Sequence, residues 1–366
     1  MGDLLSALVP RLPTIDALTS RDGLSEALGV GAVASVRVEP LSTAGYSGST
    51  HQRLMVTYEG GRERSFVVKT VDIAHDWTLR VSDDNLGREA ALLGAPELLG
   101  VWETFHRPYL AYAVQSGGFA LLMEDLSDHL FPDVDEPISL EAEEAALSSL
   151  AGLHARYWES EVLNLPWLTR ATENFGAMGP HALDSPGMQV SAPELREMMR
   201  RGWEACAKLL PADIFALLSW KKEEFARLCE GLPKTLVHGD AKVGNFAFMP
   251  DKKIAAFDWA MVGVAPPTVD LGWYLAINAS RLARTKEEVV LRYRELLEGH
   301  LGRPLDEKLW TRMLDIGILY GAVMLLWTKA LSLASMTSTA RREWSWWVSR
   351  LNTIRGSLSF DATVNA

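Results

Sequence analysis

Residues 236–275 hold the chain to a narrow set of folds. They read Leu236-Val237-His238-Gly239-Asp240-Ala241-Lys242-Val243-Gly244-Asn245-Phe246, then an apolar run Ile254–Phe257 ending in Asp258-Trp259, then Pro266-Pro267-Thr268-Val269-Asp270-Leu271-Gly272-Trp273. Two short strands and a helix start thus carry three carboxylates and an amide at fixed stations. Transfer of a terminal phosphoryl group needs little covalent help from a protein, but it needs oxygen ligands for a metal and a carboxylate beside the attacking oxygen. Asp240, Asn245 and Asp258 are the right residue types for both.

His238-Gly239-Asp240, Asn245 five residues later, and Asp258 after a hydrophobic strand resemble the catalytic segment of the aminoglycoside phosphotransferase and choline kinase superfamily, small-molecule relatives of protein kinases. Ala151-Gly152-Leu153-His154-Ala155-Arg156-Tyr157-Trp158 is more similar to the ecdysteroid-kinase-like branch. The resemblance implies an α+β, two-lobed protein-kinase-like fold with nucleotide in the cleft. A small lobe with a five-stranded antiparallel sheet plus a helix precedes a large, mostly helical lobe. On this reading residues 1–126 are the nucleotide-binding lobe, with a helical extension over 1–30, and residues 127–366 are the catalytic and substrate-binding lobe.

Size and charge fit that expectation. A chain of 366 residues with 48% hydrophobic content has enough apolar material for two cores. A formal net charge of −11 argues against a nucleic-acid partner, since phosphate backbones are bound by Lys and Arg. Cys206 and Cys229 are the only cysteines and lack metal-binding spacing, which suits a reducing cytoplasm. The N-terminus does not read as a secretory signal, and Met1–Ser6 fits the loose myristoylation pattern without a second anchoring signal. Ile316–Trp327, about a dozen apolar residues between Asp315 and Lys329, is too short to span a bilayer and reads as a buried core helix.

Helical spacing of Leu4, Leu5, Leu8, Leu18, Leu24 and Leu28 predicts one or two amphipathic helices up to Gly29 that brace the lobe beyond them. Alternation then predicts strands over Val33–Glu39, Leu54–Tyr58 and Phe66–Thr70, with a polar loop at 42–50 and a Glu59-Gly60-Gly61 turn. Two more strands are expected around Leu110–Gln115 and Phe119–Met123. Gly45 and Gly48 let a backbone approach phosphates, and Ser47 and Ser49 add hydroxyl donors; taken alone, these are also ordinary hairpin residues. Lys69 in the apolar run Phe66–Val71 needs an anionic partner if buried. The resemblance makes it the ligand of the inner phosphates, paired with a helix glutamate, Glu89 first and Glu97 as the fallback. Leu121–Leu126 resembles the connector between lobes, where the main chain of Glu124 and Leu126 reads the adenine edge and Met123 touches the ring; the carboxylates of Glu124 and Asp125 read as cap and surface groups.

In the second lobe a helix is expected over Leu140–Trp158, with His154 a packing residue. The resemblance implies that Asp240 orients the acceptor hydroxyl as catalytic base, that Lys242 neutralises the transferred phosphoryl, and that Asn245 and Asp258 hold magnesium, both offering the oxygen donors that suit magnesium or manganese. A solvent-facing lysine remains the other reading of Lys242. His238 is expected to pack beneath the loop. Asp270 reads physically as a helix N-cap and, by resemblance, as a brace for the loop backbone. About a dozen residues separate Asp258 from Asp270, too few for the activation segment of a protein kinase, so a protein acceptor is not expected. Trp344 and Trp347 fit either a substrate pocket or helix packing, and Glu141, Glu143 and Glu144 fit either attraction of an aminoglycoside or a solvated face.

The combined expectation is a magnesium-requiring, ATP- or GTP-dependent kinase acting on a hydroxyl of a metabolite, antibiotic or sterol-like molecule, with no nucleic-acid partner and no membrane span, as a monomer or homodimer. The alternative is a nucleotide-binding pseudokinase with a regulatory role.

Overall fold

A computed structural model of the chain describes residues 8–29, 31–42 and 47–364. It divides into two compact units, one of Met1–Pro132 with Gly244–Met261, the other of Asp133–Val243 with Val262–Ala366.

The first unit is built on five antiparallel strands, β1 (Val33–Leu41), β2 (Thr50–Tyr58), β3 (Glu63–Asp72), β4 (Tyr109–Gln115) and β5 (Gly118–Glu124), in the order β1-β2-β3-β5-β4. The sheet forms because one face of each inner strand is apolar. Leu54, Val56, Phe66, Val68, Ala111, Ala113, Ala120 and Leu122 share a core with Leu12, Leu18 and Leu24 of the N-terminal segment. That segment is a 3-10 turn, Asp16–Thr19, and a helix α1 (Arg21–Leu28) capped by the Ser20 hydroxyl and ended by Gly29 at φ 60°. It braces the sheet as the leucine spacing predicts; Leu4 and Leu5 lie outside the described residues. Edge strand β1 is mostly exposed and carries Pro40 and an Arg37–Glu39 ion pair, features that discourage further strand pairing.

A hairpin from later in the chain, β8 (Phe246–Phe248) and β9 (Ile254–Ala256), also belongs to the first unit. Its Ala247 and Ala255 pack with Leu126, and its backbone is tied by His106 N–H to the Ile254 carbonyl and by Phe248 N–H to that of His129. The sequence division at residue 126 places 127–132 and this hairpin on the other side. The apolar partners of the hairpin lie in the first unit, which is why the contacts put it there.

The second unit is mostly helical. Its long helices are α3 (Leu140–Arg156), α4 (Pro193–Leu209), α5 (Thr268–Ile277), α6 (Lys286–Leu301), α7 (Glu307–Ser332) and α8 (Ser338–Val364), with a small sheet of β6 (Thr169–Arg170), β10 (Gly263–Ala265) and β7 (Thr235–Val237). Helices α5 and α7 meet backbone to backbone. A Cβ placed on Gly272 would lie 1.7 Å from the Gly317 carbonyl oxygen, one on Gly317 1.9 Å from that of Thr268, and one on Gly321 2.3 Å from that of Gly272. Only glycine permits this approach. The apolar run at Ile316–Trp327 is the middle of a 26-residue helix, longer than its apolar stretch suggests. Its most apolar window is 72% buried within the fold, the signature of a core helix.

Candidate active site

In the first unit three predicted residues converge. The Lys69 ammonium lies 2.7 Å from Glu89 Oε2 and 2.7 Å from Asp258 Oδ1. Lys69 is 7% exposed and Glu89 1%. Burial alone lowers the pKa of the lysine, but Asp258 and Glu89 more than offset it, so the group is held firmly cationic. Glu89 sits on α2 (Arg88–Leu93), a short helix started by the Asp84 carboxylate, which accepts from the amides of Leu86, Gly87 and Arg88. Glu97 is exposed on a separate 3-10 turn, so the register favours the first candidate over the fallback.

The second oxygen of Glu89 is also used. Oε1 accepts from the Tyr109 hydroxyl at 2.7 Å and from the Trp259 amide at 3.2 Å, while the Asp258 amide donates to the Tyr109 oxygen at 3.2 Å. Tyr109 is buried, and burial with the Glu89 charge holds its hydroxyl protonated. One phenol therefore links the helix glutamate to the backbone of Asp258. Asp258 has φ 63°, a left-handed conformation that costs a non-glycine residue about 1–3 kcal/mol and tends to occur at functional positions. No pattern in the sequence marks Tyr109, whose position at the start of β4 reads simply as strand.

Asn245 lies in a 3-10 turn, and its carbonyl accepts from the Phe257 amide at 3.1 Å, so the hairpin carries both expected metal ligands on one piece of backbone. Among the described residues no group of three or more His, Cys, Asp or Glu side chains forms a closed metal cage. One carboxylate and one amide oxygen instead fit magnesium, which keeps waters and binds phosphate oxygens in addition to one or two protein ligands.

In the same unit, Ser47 and Ser49 share a hydroxyl hydrogen bond of 2.8 Å. Gly48 is required for a different reason than the sequence offers: a Cβ there would lie 2.3 Å from the His75 carbonyl oxygen. Gly45 lies outside the described residues. On the connector Met123 and Leu126 are buried, Glu124 bonds His106 at 2.8 Å, and Asp125 accepts from Ser65 and pairs with Arg53 at 3.0 Å.

In the second unit, the loop after β7 is clamped by α5. Asp270 Oδ2 accepts from the His238 amide at 2.7 Å and Oδ1 from the Gly239 amide at 2.8 Å. Buried His154 completes the arrangement, its Nε2 3.1 Å from Asp270 Oδ2 and its Nδ1 2.6 Å from the Tyr293 hydroxyl. The N-cap position belongs to Pro267, so Asp270 is not the cap; its carboxylate serves the loop, and the loop-brace reading holds. His238 is fully buried and its Nδ1 accepts from the Asp240 amide at 3.2 Å. The Asp240 carboxylate accepts from Trp273 Nε1 at 2.8 Å through Oδ1 and pairs with the Lys242 ammonium at 2.7 Å through Oδ2. Lys242 is therefore partnered and half-buried, not a free loop lysine.

The sequence profile of the phosphotransferase enzyme family matches residues 46–305, more than half of the chain. The chain belongs to that family. No curated protein matches it. Among solved structures the phosphotransferase is similar to a choline kinase from Streptococcus pneumoniae (12% identity, 91% of this chain and 97% of that one, TM-score 0.42). It is also similar to a macrolide 2′-phosphotransferase from Brachybacterium faecium (18%, 92% and 97%, 0.41) and to an amicoumacin kinase in complex with AMP-PNP, Ca2+ and Ami (13%, 94% and 95%, 0.42). The family it belongs to is one of phosphotransferase enzymes.

The side chains bear on two further expectations for this phosphotransferase. Glu143 is fully buried, bonded to Arg284 at 2.8 Å and to the Ala283 amide at 2.7 Å, and Glu144 pairs with Arg284 and Arg292, so these two carboxylates serve ion pairs within the fold, while Glu141 is exposed. Trp347 is 1% exposed and packs against Gly321, a helix-packing role. Trp310 and Trp346 border a small open cavity of about 210 Å³ with Arg294 and Arg350.

Proposed function

We propose that this phosphotransferase moves the γ-phosphoryl of ATP or GTP to a hydroxyl of a metabolite, antibiotic or sterol-like small molecule. Nucleotide binding falls to the first unit and acceptor orientation to the second. The observation that carries the reading is the placement of Lys69 between Glu89 and Asp258 at 2.7 Å each. A buried cation held by two carboxylates is preorganised for phosphate oxygens.

In this reading Lys69 binds the inner phosphates and Glu89, fixed by Tyr109, keeps the lysine in place. Ser47, Gly48 and Ser49, with Gly45, belong to the phosphate loop; Met123 touches the adenine, and the main chain of Glu124 and Leu126 reads its edge. Asn245 and Asp258 would hold magnesium or manganese, which supplies charge neutralisation on the phosphates when bound. Asp240 accepts the hydrogen bond of the acceptor hydroxyl. As the new O–P bond forms, the bond from phosphorus to the bridging oxygen breaks, its electron pair leaves on the nucleoside diphosphate, and the hydroxyl proton passes to Asp240. Lys242 faces the transferred phosphoryl.

The test is nucleoside diphosphate release across a panel of hydroxylated compounds, with wild type beside Asp240→Asn. Acceptor-dependent turnover lost in the variant supports the reading. Nucleotide binding without turnover on any acceptor favours a pseudokinase and overturns it.

A further inference from the structure

Helix α5 reaches the loop at three places, with side chains of very different kinds. Asp270 binds the amides of His238 and Gly239, and Asn278, just past the helix end, accepts from the Val243 amide at 2.9 Å. Both hold backbone. Between them Trp273 donates its indole N–H to Oδ1 of Asp240 at 2.8 Å, and so holds the carboxylate itself. Trp273 is 7% exposed, and the helix that carries it is locked by the glycine contacts with α7. An indole has two side-chain torsions and a single donor, so a buried one cannot follow a moving acceptor. The Lys242 ammonium on Oδ2 is the opposite case, with a flexible four-carbon stem and a side chain 35% exposed.

We infer that Trp273 is a positioning residue for phosphoryl transfer. It fixes the rotamer of Asp240 through Oδ1 and leaves Oδ2, from which Lys242 can turn away, as the oxygen presented to the acceptor hydroxyl. The inference rests on the reading of Asp240 as the acceptor-orienting carboxylate.

With the acceptor unidentified, the probe is hydrolysis of magnesium-ATP, water serving as acceptor, followed from acid to neutral pH in wild type, Trp273→Phe and Asp240→Asn. Trp273→Phe keeps an aromatic ring and removes the N–H. The expected result is a fall in kcat of about tenfold to a hundredfold, as for a misplaced catalytic group, with KM for the nucleotide within about twofold. An unchanged kcat in Trp273→Phe, with Asp240→Asn inactive, overturns the positioning role and spares the role of Asp240. Full activity in Asp240→Asn overturns the underlying reading instead. Where hydrolysis is too slow or the phenylalanine variant fails to fold, 15N-labelled indole spectra decide. Under the inference one indole proton signal of the wild-type protein moves in Asp240→Ala; thirteen indole signals that all keep their places refute it.

Discussion

Replacing Gly272 with alanine tests the packing that places the loop clamp. The added methyl would sit 1.7 Å from the Gly317 carbonyl oxygen, where real Cβ contacts stay beyond 3.0 Å, so α5 and α7 must part by about 1.3 Å. The obstacle is backbone on a packed helix, not the end of a pliable side chain. Overpacking of this kind costs about 1–3 kcal/mol, and the rigidity of both partners argues for the upper end. For a unit of this size a loss of about 3 kcal/mol lowers the melting temperature by about 6–12 °C. Gly299→Ala is the matched control, since a Cβ there meets nothing within 4 Å and alanine favours a helix interior over glycine by about 0.5–1 kcal/mol. Scanning calorimetry on the two variants should therefore give opposite shifts. A second consequence is kinetic: Asp270 and Trp273 ride on the displaced helix, and a misplacement of about 1 Å costs on the order of a hundredfold in turnover. If Gly272→Ala melts with the wild type, the two helices do not approach as described and the clamp argument fails with them.

Lys69→Met should destabilise the fold by about 3–5 kcal/mol in urea unfolding, because it leaves the buried Glu89 carboxylate without its cation; an unchanged midpoint would contradict the burial of the pair. Asp258→Ala should erase the gain in nucleotide affinity that magnesium confers, read by calorimetry with and without the metal, and retention of that gain would move the metal site elsewhere. His106 donates to Glu124, which raises the imidazole pKa above its ordinary value. Its contribution is therefore full below about pH 6.5 and lost as pH rises through the folded-state value. With both side chains 30% exposed, the effect stays under about 1 kcal/mol. The difference in unfolding free energy between wild type and His106→Gln should shrink from pH 6 to pH 8.5; a difference constant across that range excludes the ion pair.

The five strands were legible because alternation of apolar residues leaves a local trace, whereas the Lys69–Glu89 pairing was expected from the family resemblance, with the lysine inside an apolar run as its local sign. What was not legible depends on contacts between distant segments. Tyr109 acts through Glu89 and Asp258, twenty and 149 residues away, and no spacing rule links them. Trp273 stands three residues after Asp270, nearly one helical turn on, so the shared face was available as a signal, but its partner Asp240 is 33 residues back. The partners of the β8–β9 hairpin are equally non-local: its short apolar strands carry no trace of Leu126 or of the backbone of His106 and His129, to which they are tied. Asp270 failed as an N-cap because Pro267 precedes the helix, and a carboxylate three positions in is free to reach outward to the loop.

The stretch from Trp259 to Val269 carries the strongest argument about the acceptor. In protein kinases the corresponding interval houses a mobile activation segment. Here it is consumed by structure: a 3-10 turn at Trp259–Met261, strand β10 bonded to both β6 and β7, and the first residues of α5. Every residue from Trp259 to Asp270 is buried. A segment with no exposed residue cannot present a docking strip to a polypeptide, nor can it fold away and return as a switch without breaking the β10 ladder and the Asp270 bonds to the loop. That favours a small acceptor over a polypeptide.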